Sequence, residues 1–301
     1  MTTIYSNVSA LSTLREINSA LETTSERIAT SRRINTASDG AALWAIARTL
    51  ENDISMSSTI TEQLGVADAT LSAASAGLTS ANGTLQDIRD NLVLARANGA
   101  DRATLQTEID GLISTLQATA TQADVGNVEI LNQSASGSYQ AVKSFVANVH
   151  SSGGSTTVSE IDLDVRGVAL LNANADVGIL EESRTVNGTT STVLAIDVSA
   201  LTDAAGDIQT IDDLIAIVDA AMSDVTDAGA MVGAAINQVE SHGAMVSAMA
   251  SAREEALNTL VGADLEAEAA KQEALLVRQQ LAIEALAISN SSLSTMLQLF
   301  R

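Results

Sequence analysis

Disulfides, thiolate metal sites and thiol nucleophiles all need cysteine, and this 301-residue chain has none. Its two histidines, His150 and His242, lie far apart and outside His-Glu-x-x-His spacing, so both read as structural side chains rather than metal ligands. The acidic doublets Asp212-Asp213 and Glu254-Glu255 read as solvated helix faces or partners of helix N-termini. Neither shows the enclosing apolar pocket that general-acid work needs. Asn82-Gly-Thr, Asn132-Gln-Ser and Asn187-Gly-Thr fit the glycosylation tripeptide, a pattern short enough to occur by chance. Trp44, the one tryptophan, reads as a packing anchor. No catalytic, cofactor-binding or metal-binding residue emerges, and a protease inserted in the middle fails on length and on the missing nucleophile or metal set. The chain reads as a non-enzyme.

Its elements point to packing instead. Aromatic residues make up only 2% of the chain, so Ala, Leu, Val and Ile must fill the core, a composition suited to helices at short axial distance. Net charge is −22, and it is unevenly placed. Residues 1–38 hold four basic and three acidic groups and 262–301 hold three and five, leaving the interior to carry −21. Such a surface argues against nucleic-acid and anionic-membrane partners. Nearly neutral ends, by contrast, can pack against copies of themselves. Residues 1–7 carry neither a basic nor an apolar signal region, and no run reads as a membrane span.

Leu64, Leu71, Leu78, Leu85 and Leu92 recur every seven residues, with Ala67, Ala74, Ala81, Ile88 and Ala95 between them. That is a helix laid on a helix. Extended back through Leu50, Ile54 and Ile60, it predicts a helix of about 50 residues, on the order of 75 Å. Ser38 or Asp39 is the candidate N-cap, and Asn98-Gly99 the left-handed end. Asp101 then caps a second helix with Leu105, Ile109, Leu112 and Leu116, closing a helical hairpin. Val128–Leu131, 141–149 and 157–165 read as short strands, and 172–209 as a small variable surface segment with a weak strand at 193–198. Helix returns at Thr210, with Thr210 and Asp213 at capping-box spacing. Its stripe, Leu214, Val218, Ala221, Val225, Ala228, Val232, Ala235, Val239, His242, Val246 and Met249, matches the leucine array.

Each end of the chain carries a stripe of its own. Ile4, Val8, Leu11, Leu14, Ile17, Leu21 and Ile28 form one face of an N-terminal helix. After Gly262, Leu276, Ile283, Asn290 and Leu297 form one seven-residue series, and Gln279, Leu286, Leu293 and Phe300 another. Gln279 and Asn290 are polar seam positions that would fix register. The fold class is therefore mainly α: a long antiparallel helical bundle or coiled coil with a small β-hairpin region and paired terminal helices. Its parts are 1–38 with 262–301, 39–171 with 210–261, and 172–209. Two helices of about 35 residues bury little area by themselves, so the ends are expected to become ordered as copies stack.

Two signatures make this specific. Arg33-Ile-Asn-Thr-Ala-Ser-Asp-Gly-Ala-Ala-Leu-Trp-Ala-Ile-Ala47 resembles the N-terminal signature of bacterial flagellins, and Ala263-Asp-Leu-Glu-Ala-Glu268 resembles the acidic motif opening their last helix. Gln279, Gln280, Leu286, Ala287, Asn290, Leu297, Leu299 and Arg301 sit where that family places them. The resemblance, alphaproteobacterial in character, covers about 1–165 and 210–301. It implies a subunit that is exported unfolded and polymerises under a cap into the extracellular filament used for motility. Its terminal helices would line the inner tube. The implied partners are further copies, other flagellins, an export chaperone, the cap and hook–filament junction proteins, with no cofactor. Ser and Thr of 172–209 are the better glycosylation candidates if the filament is O-glycosylated.

Departures from the family pattern concern immune recognition. In the stretch resembling the peptide that plants detect, which contains Arg33 and Asp39, Ser38 and Gly40 replace a Lys and an Asp, and Trp44 is unusual. Around Arg89, in the helix resembling the one read by the vertebrate receptor, Asp87 replaces a basic residue. Weak activation of both receptors is expected. The alternatives are a hook–filament junction protein and an adhesin using 172–209. For a filament subunit, deletion of that segment is expected to leave polymerisation intact.

Overall fold

Leucines at seven-residue steps are buried only if a second helix runs beside them with matching small residues, and the chain supplies one. The computed structural model describes residues 2–123, 128–133, 140–152, 155–172 and 177–299, with side chains from 8 to 149 and 157 to 291. Five helices are present among them: α1 (Thr2–Thr30), α2 (Ala37–Ala95), α3 (Arg102–Gln122), α4 (Ala205–Val261) and α5 (Leu265–Leu299). The chain forms two compact units, Met1–Ser55 with Met249–Arg301, and Met56–Ala248.

The second unit holds the main core. Leu64, Leu71, Leu78, Leu85 and Leu92 of α2 are buried in one cluster with Val218, Val225, Val232, Val239 and Val246 of α4, joined by Ile109, Ile113 and Leu116 of α3. At about 1.5–3 kcal/mol per buried aliphatic side chain, this seam dominates the stability of the unit. The turn between α2 and α3 follows the sequence signals. Gly99 takes φ 75°, and Asp101 caps α3 by accepting from the Thr104 amide. Gly77 marks a close approach: a Cβ there would stand 2.6 Å from Leu131 Cδ1, whereas Gly65 and Gly83 face open space.

The start of α2 differs from expectation. Regular helix is interrupted at Gly40, and Asp39 turns its carboxylate back to the amides of Asn35 and Thr36. Strands β2 (Val142–Ser152) and β3 (Ser155–Asp164) form an antiparallel hairpin with an irregularity between Val146 and Asn148. Ala147, Ile161 and Leu163 point into the core. Val165 leaves the hairpin for a 3-10 turn capped by Asp164. Val128–Leu131 is not a continuous strand: Val128 is a single bridge residue, and β1 (Asn132–Gln133) runs parallel to β4 (Leu171–Asn172).

The segment expected on the surface, 172–209, contributes described residues from 177 onward to the core. Ile179, Leu180, Val193, Ile196 and Val198 are buried, and Val193–Ala195 is a 3-10 turn rather than strand. Such isolated apolar residues have no period, so the sequence pattern hides them. Polar clamps complete their placement. Gln106 of α3 donates to the Ile196 carbonyl and accepts from the Val198 amide. Asp203 accepts from Arg102 and the Gly99 amide, and the Arg102 hydrogen bond holds its carboxyl below the usual range. The small hairpin of β5 (Arg184–Val186) and β6 (Thr189–Ser191) is tied to α4 through Asp213 and Asp224. Helix α4 starts at Ala205, not Thr210, with Asp207 accepting from the Thr202 amide. Thr210 bonds back to the Gly206 carbonyl, and Asp213 serves the hairpin instead of a cap.

Candidate assembly surface

The first unit is built on antiparallel α1 and α5. Polar ties repeat along one edge: Gln279 donates to Asn18 at 2.7 Å, Gln272 to Ser25 at 3.1 Å, and Arg27 pairs with Glu268 at 3.1 Å. Seven residues separate Asn18 from Ser25, and seven separate Gln272 from Gln279, which sets an antiparallel register at heptad pitch. Burial pushes the Glu268 carboxyl up, but the Arg27 hydrogen bond and the Lys271 and Arg27 charges outweigh it and hold the group below its ordinary value.

Between these ties Ile17 and Leu275 are buried, and Leu14, Leu21, Ile28, Gln279 and Leu286 are half-buried. The other expected seam residues do not join them. Leu276 and Ile283 are 50% and 53% exposed, Val8 and Leu11 are 63% and 44% exposed, and Asn290 is exposed. The side chains of Ile4, Leu293, Leu297 and Phe300 lie outside the described residues. Helix α5 carries large apolar residues on more than one side, so periodicity alone could not say which stripe faces α1. The stripe that does runs through Gln272, Leu275, Gln279, Ala282 and Leu286. Leu276 and Ile283 flank it on one side, and Val277, Leu281 and Ile288, at 57%, 59% and 70% exposure, on the other. Beside Ile17 and Leu275, a groove of about 400 Å³ opens toward Leu281.

The helices meet their neighbours at a joint in which the two connecting segments pair. Arg32 and Gly262 form an antiparallel bridge, the Arg33 amide donates to the Val261 carbonyl at 2.7 Å, and the Ala263 amide to Ser31 at 3.0 Å. Ile34, Ala47, Leu257 and Val261 are buried beneath, with Trp44 packed against them. Arg48 lies 5.6 Å from the Trp44 ring centroid, and Glu51 receives Arg32 and Arg48. Trp44 is thus a packing anchor. Ser38 and Asp39 are exposed at this joint and Gly40 is half-buried. Hydrogen bonds from the Thr36 and Asn35 amides hold the Asp39 carboxyl below its usual range.

In the second unit, α2 and α4 carry a ladder of their own. Asn82 donates to Thr226 at 3.2 Å, Arg89 pairs with Asp219 at 2.8 Å, and Arg96 with Asp212 at 2.5 Å. Both strings step by seven, a signal present in the sequence but hidden beside the apolar one. Asp87, next to this ladder, is exposed. His242 is half-buried on α4, and the His150 side chain lies outside the described residues. Among the described residues, no three His, Cys, Asp or Glu side chains gather as a metal would need, and no helix is long and apolar enough to cross a membrane.

Comparison with known proteins matches both ends of the chain. Residues 1–136 fit the bacterial flagellin N-terminal helical region, and residues 215–300 fit the bacterial flagellin C-terminal helical region. Flagellin C of Rhizobium meliloti (strain 1021) is 31% identical over 325 residues, covering 100% of each chain. Flagellin A of the same strain is 30% identical and the flagellin of Brucella melitensis biotype 1 is 28% identical, each over the full length of both chains.

Proposed function

The chain belongs to the bacterial flagellin family and is a structural subunit of the flagellar filament, and from that premise we propose that the exposed faces of α5 are where copies join. One observation carries this reading. After α1 has taken one stripe of α5, Leu276, Val277, Leu281, Ile283 and Ile288 remain exposed on both flanks. Each large aliphatic side chain moved out of water contributes about 1.5–3 kcal/mol. Two different flanks meeting two different neighbours give a heterologous contact, the kind that builds an open helical polymer rather than a closed ring.

On this reading, 1–38 and 262–301 form the inner tube, and 39–171 with 210–261 the surrounding shell. The subunit is secreted and catalyses no reaction. An export chaperone covers the apolar α5 before assembly, and the cap and the hook–filament junction proteins contact the same terminal helices. The substitutions at Ser38, Gly40 and Asp87 leave it a weak activator of plant and vertebrate flagellin receptors. The test is seeded polymerisation of the full chain carrying Ile283→Asp or Ile288→Asp, followed by sedimentation. Both variants should keep the thermal melt of the parent and remain in the supernatant; pelleting polymer from either at parental concentration would remove α5 from the contact.

A further inference from the structure

Three Asn-Gly pairs occur in the chain, Asn82-Gly83, Asn98-Gly99 and Asn187-Gly188, and assembly makes no use of the chemistry they share. The backbone nitrogen that follows an asparagine can attack that residue's own side-chain carbonyl carbon, and glycine, lacking a Cβ, leaves the approach most open. Which pair reacts depends on what holds the carboxamide and what holds the nitrogen. Asn82 lies inside α2, where regular helix binds the Gly83 nitrogen, and its carboxamide donates to Thr226 at 3.2 Å. Asn187 lies in the turn between β5 and β6, and its carboxamide donates to Asp213 at 2.9 Å. Asn98 lies past the end of α2, is exposed, and has no side-chain hydrogen bond among the described residues. Gly99 is exposed too, and the space its Cβ would occupy is open.

We propose that Asn98 is a site of spontaneous deamidation, guarded by Asp203 from 104 residues away along the chain. In the first step the Gly99 nitrogen bonds to the side-chain carbonyl carbon of Asn98. The carboxamide carbon–nitrogen bond breaks, and the leaving amino group takes the proton given up by the Gly99 nitrogen and departs as ammonia. Water then opens the cyclic imide at either carbonyl and leaves aspartate or isoaspartate, so one water enters for each ammonia lost. Asp203 slows the first step in two ways. Its carboxylate accepts from the Gly99 amide at 3.1 Å, so the nitrogen must leave that bond to reach the carboxamide, and its charge opposes loss of the amide proton. Arg102 holds the same carboxylate in place at 2.9 Å. The products act back on this clamp. A carboxylate just past the C-terminal end of α2 is disfavoured by the helix dipole, and isoaspartate adds a carbon to the main chain ahead of Gly99, which moves the amide off Asp203.

The test follows the full-length chain through mildly alkaline incubation, in native buffer and in urea, with tryptic peptide mass as the readout and thermal melting as the fold control. Cleavage at arginine and lysine places the three pairs on separate peptides, 49–89, 97–102 and 185–253. In urea the three should convert at similar rates, so any ranking in native buffer comes from the fold. In native buffer the 97–102 peptide should convert first, and an isoaspartate-specific methyltransferase should label it. Asp203→Asn should speed that conversion by about tenfold, the scale of one charge-assisted hydrogen bond. Arg102→Gln loosens the clamp but leaves the carboxylate on the Gly99 amide, and should stay near the parental rate. Earlier conversion of 49–89 or 185–253, no product at Asn98 while the denatured chain converts, an unchanged rate in Asp203→Asn, or equal acceleration by Arg102→Gln would each overturn the proposal.

Discussion

Arg89 of α2 reaches Asp219 of α4 at 2.8 Å, and the same pairing repeats one heptad on at Arg96 and Asp212 and one heptad back at Asn82 and Thr226. The apolar seam cannot set this register by itself. Leucines and valines that both recur every seven residues would pack nearly as well after a slip of one heptad, because each leucine would meet another valine. A slip by one heptad keeps one Arg–Asp match and loses the other, leaving Arg89 opposite Asp212 or Arg96 opposite Asp219, so the two ion pairs together favour the observed register.

Reversing one charge should therefore matter more than removing it. Arg89 and Asp219 are 43% and 49% exposed, so Arg89→Ala should cost under about 1 kcal/mol. Arg89→Asp places like charges together and should cost about twice that, with Arg89→Asp/Asp219→Arg returning near the parent. Urea denaturation of the parent, Arg89→Asp, Asp219→Arg and the double variant forms a double-mutant cycle; a coupling energy of zero would show that the ladder does not select register.

The Asp213 carboxylate accepts from Asn187 at 2.9 Å, Gln209 at 2.9 Å and Thr189 at 2.8 Å. These donors, Asn187 first, hold it below the ordinary aspartate value. A carboxyl whose folded value is depressed gives stability that is present above its unfolded value and lost as pH falls through the folded one. Melting temperature should thus fall below pH 3.8 more steeply for the parent than for Asp213→Asn. At neutral pH, Asp213→Ala should lower the melt by stranding three donors. Identical pH profiles for parent and Asn variant would show that this anchor does not contribute.

Glycines in α2 should respond with opposite signs. Gly83→Ala meets open space and should gain up to about 1 kcal/mol of helix stability. Gly77→Ala must fit a methyl 2.6 Å from Leu131 Cδ1 and 2.9 Å from Ala123 Cβ, an overpacking cost of about 1–3 kcal/mol that exceeds the same gain. Guanidinium unfolding of the two variants gives the comparison directly.

Deleting 172–209 removes Ile179, Leu180, Val193, Ile196 and Val198 from the core that contains Ile109, Leu214 and Ile217. The deleted chain should melt well below the parent and bind an apolar dye, so the tolerance expected of a surface loop does not apply. A cooperative melt at the parental temperature would refute the placement.

The sequence by itself determined the long-range plan. Heptad spacing announced α2, α4 and their shared seam, Asn98-Gly99 and Asp101 marked the α2–α3 turn, and signatures at both ends identified the family, because helical period, capping chemistry and motif order are all properties of neighbours along the chain. Tertiary structure alone decided which stripe of α5 meets α1 and which stripes stay exposed, since a helix with several apolar stripes does not say which of them its neighbour takes. It also decided that 172–209 closes the core. Gln106, Asp203, Asp213 and Asp224 hold that segment across large sequence separations, and a few aperiodic apolar residues become legible only when their distant partners are in place.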